Sequence, residues 1–200
     1  MGYTFTNTAA STAAVTNRFV TSVNMANGAY TVANASPTWS GGCLVTATIT
    51  AVTGNDTPGT LTIVGTGVNG QPLTEVLTLV AAGTATSSNA FRTITSLTQA
   101  GWVINTGNDT IVVGCAAGNV ACGSGGSLGG VLVNNLVAAA VTISDAGRTI
   151  MTIPASQAAG TFYPFGNGGV DFAGRLVVST TSTNDITVFH TPTVPSTYAL

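Results

Sequence analysis

The chain has 200 residues, enough for one large or two small domains, with four arginines, no lysine, six acids and a net charge of −2. Ionisable residues make up 5% of it, against about 25% in ordinary globular proteins. That excludes a basic footprint for nucleic acid; no run reaches the roughly 20 apolar residues of a membrane span, and Val, Ile, Leu and Thr are too plentiful for disorder.

The opening MGYTFTNTAAST has no basic segment and no apolar segment of the kind a secretory signal needs. Gly2 and Thr6 fit the short myristoylation pattern, which is common by chance. Residues 1–12 read as a polar, extended N-terminal arm. Strand signals follow. CLVTATITAV (43–52) alternates Val45, Ala47 and Ile49 against Leu44, Thr46 and Thr48, and GTLTIVGTGV (59–68) sets Leu61 and Ile63 on one side. PLTEVLTLVAA (72–82) spaces Leu73, Leu77 and Leu79 evenly, with Glu75 breaking the pattern. Between the last two runs Asn69-Gly70 predicts a hairpin, because both residues accept positive φ. AFRTITSLT (90–98) and TIVVG (110–114) complete a first β-rich half, residues 13–116.

TGNDT occurs at 53–57 and again at 106–110, each copy ahead of a β-type run. A calcium loop needs several converging oxygens, whereas each copy offers one carboxylate, Asp56 or Asp109. Asn and Asp bond their own backbone and tolerate left-handed geometry, so the repeat reads as a turn that launches a strand. Residues 117–126, within the small-residue run GCAAGNVACGSGGS, read as a linker. A second half, residues 127–192, holds strands at 128–136, 139–145, 148–154, 161–165, 174–181 and 185–191, with turns at Asp145–Gly147 and Ser182–Asn184. Residues 193–200 read as a C-terminal tail. No segment keeps a helical period over three turns.

No catalytic, cofactor or metal residues are assigned. Cys43, Cys115 and Cys122 form no CxxC and lie far in sequence from the lone His190, so they read as three ordinary thiols, with a Cys115–Cys122 bridge as the alternative. His190 ends a β-run, where a histidine is usually structural. No second carboxylate pairs with Glu75 by any recognisable spacing. The Gly-rich 123–130 segment lacks the Lys-Ser/Thr of a phosphate loop. The Asn34, Asn55 and Asn108 acceptor tripeptides are taken as composition. Aromatic residues carry the remaining candidates: Phe162, Tyr163, Phe165 and Trp102 are read as interface or ligand contacts, either between subunits or as a sugar-stacking platform.

The run VTATITAVTGNDTPGTLTIVGTGVNGQPLTEVLTLV through FRTITSL (91–97) resembles the small β-sandwich modules of tailed-bacteriophage virion proteins. SLGGVLVNN, VTISDAGRTIMTIP, GTFYPF and GRLVVSTTSTNDITVFH resemble a second such module, with Arg175 where its pattern often has Gly-Leu. The shared motifs are turns and strand faces covering most of residues 43–191. The resemblance implies an all-β chain of two β-sandwich domains, jelly-roll or Ig-like, with extended terminal arms. It implies a virion structural protein of the capsid decoration (cement) or head-fibre type, made in the bacterial host cytoplasm and placed on the capsid exterior. Its expected partners are the major capsid protein or other virion subunits and further copies of itself, as a dimer or trimer, with no nucleic acid and no membrane. A neck, collar or tail protein and a carbohydrate-binding adhesin are the alternatives.

Overall fold

The computed structural model describes residues 4–8, 11–50, 57–103, 109–166 and 168–192. Every regular element among them is a strand, in several antiparallel sheets. In chain order they are β1 (Thr4–Thr8), β2 (Val15–Asn24), β3 (Ala29–Tyr30), β4 (Cys43–Thr50), β5 (Thr60–Gly67), β6 (Pro72–Thr78), β7 (Thr84–Ala100) and β8 (Thr110–Cys115). Then come β9 (Asn119–Cys122), β10 (Gly126–Val133), β11 (Val141–Asp145), β12 (Arg148–Ile153), β13 (Phe162–Pro164), β14 (Val170–Phe172), β15 (Leu176–Thr180) and β16 (Ile186–Pro192). β-branched Val, Ile and Thr dominate these runs, and their stiff χ1 suits a pleated surface buried on one side.

The chain divides into two compact units, residues 13–38 with 42–117, and residues 1–12 with 39–41 and 118–200. The first holds a seven-stranded sheet in the order β2-β8-β4-β7-β5-β6, with β3 also on β7. β4 alternates strictly, burying Cys43, Val45, Ala47 and Ile49. The expected Asn69-Gly70 hairpin joins β5 to β6: Gly70 has φ +83°, and Gly67 N donates to Gln71 O at 2.8 Å. β7 runs for 17 residues because its two halves pair with different partners, Thr84–Phe91 with β4 and Phe91–Ala100 with β5. The register slips where Leu44 faces Ala90 but Thr46 faces Thr86. Ser87 fills that bulge, accepting from Val45 N and donating to Asn89 O, both at 2.8 Å.

The second unit holds a five-stranded sheet, β1-β16-β10-β13 with β14 also on β10, and a four-stranded sheet, β12-β11-β15-β9. Leu128, Val131, Val133, Ile186 and Val188 of the first sheet share one buried cluster with Val141, Ile143, Ile153, Leu176 and Val178 of the second. Each such side chain contributes about 1.5–3 kcal/mol on leaving water, before the entropy of folding is counted. The β11–β12 turn has Ala146 at φ +46° and Gly147 at φ +104°, the mirror-image geometry that matches strand twist.

Two sequence expectations need correction. Residues 4–8 are not an arm: they pair with β16 from Thr4↔His190 to Thr8↔Ile186. Their inward positions are threonines, whose hydroxyls find partners inside the unit, so the strand reads as polar while its Thr6 and Thr8 are buried. Residues 117–126 are not a linker, since Asn119–Cys122 is a fully buried strand on β15 and Gly126 begins β10. The small residues there serve close packing: a Cβ on Gly126 would stand 2.2 Å from Thr191 O. β2 also escaped sequence reading, because two register shifts against β8 break its alternation. Residues 53–56, 106–108 and the 193–200 tail lie outside the described residues. The second TGNDT copy does place Asp109, 3% exposed, just before β8.

Candidate functional site

The outward face of the β1-β16-β10-β13 sheet carries an aromatic ladder. Phe5 on β1 faces Phe189 on β16 in register, and their rings meet edge-to-face at 5.2 Å and 86°. Phe162 on β13 meets the same Phe189 ring at 5.8 Å and 83°. β10 lies between them, and there Gly130 pairs with Phe189 on one side and Pro164 on the other. Phe5 is 64% and Phe162 51% exposed. Edge-to-face pairs align the positive ring edge with the negative face and add about 0.5–1.5 kcal/mol each beyond area burial.

Of the four aromatic candidates, only Phe162 presents its ring outward. Tyr163 is half-buried against the core, its hydroxyl donating to Gln157 Oε1 at 2.8 Å, and Phe165 packs on the same cluster. Trp102 belongs to the other unit, half-buried beside the Tyr30 hydroxyl, whose titration burial pushes up to about 12. The structure groups Phe162 instead with Phe5 and Phe189. The signal for Phe189 was strand parity: in ITVFHT, Ile186, Val188 and His190 are buried, which turns Phe189 outward. For Phe5 there was no local signal.

At one end of the ladder Asn7, Asn134, Asp185 and Thr187 bond to one another. Asp185 Oδ1 accepts from Asn7 Nδ2 at 2.9 Å and from Asn134 Nδ2 at 2.7 Å, and Asn134 Nδ2 also reaches Thr187 Oγ1 at 3.0 Å.

In the other unit the outward positions of β4, β5, β6 and β8 carry no ionisable side chain. Threonines prevail: Thr46, Thr48 and Thr50 on β4, Thr60, Thr62 and Thr66 on β5, Thr74 and Thr78 on β6, and Thr110 on β8. Cross-strand hydroxyl pairs, Thr48 with Thr84 at 2.8 Å and Thr66 with Thr93 at 2.7 Å, satisfy part of this surface internally.

The remaining chemistry-bearing groups are tied into the fold. Glu75 accepts from Ser88 N at 2.6 Å, Asn89 N at 3.0 Å and Asn89 Nδ2 at 3.2 Å, and so caps the β7 bulge. Asp145 accepts from Ala173 N at 3.1 Å and Gly174 N at 2.8 Å; the Ala173 amide foremost holds its carboxyl below the usual carboxylate range. His190 is 1% exposed, with Nε2 3.1 Å from Thr6 Oγ1 and Nδ1 buried without a partner. Burial lowers its pKa. All three thiols are buried and free. A hydrogen bond with Cys115, then burial, pushes the Cys43 thiol up, while Cys122 Sγ donates to Ser124 O at 3.2 Å. Among the described residues no three His, Cys, Asp or Glu side chains gather as a metal site. No family model, curated protein or solved structure matches the chain.

Proposed function

We propose that this chain is a structural virion protein of a tailed bacteriophage, decorating the capsid exterior and bridging neighbouring coat subunits. The observation that carries the proposal is the seven-stranded sheet of residues 13–117, whose outward positions on β4, β5, β6 and β8 hold no ionisable group, the intervening β7 adding the exposed Arg92. Such a surface does not repel its own neighbours and suits a protein packed at high local density. In this reading each unit is a β-sandwich. The core that residues 118–192 share between two sheets supports it for one unit, and the long β7, changing partners halfway, supports it for the other.

Decoration would act by mass action. A protein that binds only the assembled lattice shifts the assembly equilibrium toward it. Contacts to the lattice would come from threonine hydroxyls and strand edges, so attachment should depend weakly on salt. Quantitative mass spectrometry of purified particles tests the reading. Hundreds of copies per particle are expected; a dozen or fewer would move the protein to the neck or tail, and absence from particles would overturn the virion role. A glycan array with Phe162→Ala as control tests the adhesin alternative.

A further inference from the structure

We infer that the Phe5–Phe189–Phe162 face is the contact for a second copy of this chain, joined to the first about a two-fold axis. The inference deepens the self-association within the proposed function, yet it concerns the isolated protein and needs no particle.

A face that meets its own copy meets its own charges, so only a neutral or internally paired face can do so freely. Here no charge lies within the ladder itself: Asp185 at its Asn7–Thr187 end is held by two asparagine amides, and the exposed Asp171 sits at the opposite end, on β14 against Ser127. A sugar would need free donors and acceptors beside the rings, but Asn7, Asn134 and Thr187 are bonded to one another or to Asp185. Phe itself brings no polar handle. An uncharged aromatic centre with a threonine and asparagine rim has the anatomy of a protein interface.

Area and symmetry set the rest. At about 200 Å² per ring, the 64% and 51% exposed Phe5 and Phe162 offer together about 230 Å². A stable interface takes about 800 Å² from each partner, so the rings would fill its centre, with Leu132, Pro164, Thr187 and Thr191 around them. Four strands about 4.8 Å apart span only roughly 19 Å, which places the contact at the small end of dimer interfaces and makes association concentration-dependent. A trimer would need two different complementary patches, whereas one patch meeting itself gives a two-fold pair. An axis along the strands at Phe189 sets Phe5 of each copy against Phe162 of the other.

Sedimentation equilibrium of the full chain at tens of micromolar, in low and high salt, tests this. The expected result is a monomer–dimer equilibrium insensitive to salt, with Phe5→Ser and Phe162→Ser each weakening it about tenfold or more, as central aromatic contacts do. Circular dichroism should show both variants folded, since both rings are exposed. A monomer throughout, a trimer, or a dimer untouched by both substitutions would overturn the inference. Glycan binding by a monomer, lost in Phe162→Ser, would assign the face to sugar and overturn it too. Particle copy number is a separate measurement, so failure of the virion reading and failure of the dimer are distinguishable.

Discussion

The ring of Phe162 lies over Gly130: a Cβ added there would stand 2.7 Å from Cζ and 2.8 Å from Cε2 of that ring. The missing side chain of β10 is thus the slot through which Phe162 reaches Phe189 across an intervening strand. Gly130→Ala should push the ring from the sheet and cost about 0.5–1.5 kcal/mol, the range of an off-rotamer side chain, because the clashing atoms are the far end of a half-exposed ring. The expected signature is a lowered urea midpoint at unchanged m, together with the dimer weakening seen in Phe162→Ser.

Glu75 gives a second prediction. Its carboxylate receives three N–H donors at the β7 bulge, two of them backbone amides beside the register slip. Hydrogen bonds to a charged acceptor are worth about 1.5–3 kcal/mol when shielded, and the partial exposure here brings that down to about 1 kcal/mol. Urea denaturation should place Glu75→Ala lowest and Glu75→Gln between it and the parent. Equal midpoints for all three would remove the capping role.

Low pH should strip stability in two windows. His190 is held neutral, with its folded pKa below the free-chain value. Its contribution is therefore complete above about pH 6.5 and declines as pH falls toward the lowered value, at up to about 1.4 kcal/mol per pH unit for one proton. Urea midpoints at pH 7.5, 6.5 and 5.5 should drop in the parent and flatten in His190→Gln.

The second window is lower. Asp145 is depressed by the Ala173 and Gly174 amides, so its stabilisation holds above about pH 3.9 and is lost only as pH falls further through its folded value. Asp145→Asn should lose the pH dependence below 4 and keep that of His190. Arg148 is 64% exposed and 3.4 Å from the carboxylate, and Arg148→Ala should change the midpoint little.

The thiols supply a fifth test. With Cys43, Cys115 and Cys122 all buried and the Cys43 thiolate disfavoured by its Cys115 contact and by burial, the native protein should react slowly with a thiol reagent. Three thiols should then appear together on unfolding. Rapid labelling of one in the native state would mean local opening around it.

Sequence reading did best where one strand face is apolar. The β4, β5 and β10 runs were legible because Val45, Ala47 and Ile49, or Leu61 and Ile63, or Leu128, Val131 and Val133, mark a buried side directly. It failed where the buried side is polar or glycine-rich. β1 buries Thr6 and Thr8, and β9 opens with the fully buried Asn119, whose Nδ2 donates to Thr8 Oγ1 at 2.7 Å. Pairing of that kind is set by distant partners, so no local window contains it. The aromatic site was half legible for the same reason: Phe162 stood in a visible cluster, but Phe5 joins it only through a strand pairing that spans nearly the whole chain.

That pairing also sets a clock. Thr6 and His190 stand 184 residues apart in sequence, so at about 5–20 residues per second the ribosome needs roughly ten to forty seconds after making β1 to deliver the strand it pairs with, β16. Residues 13–117, with a core of their own, can finish in the interval. The TFTNT segment must wait unpaired, and a message cut short of β16 would yield one completed unit and one that has no means to close.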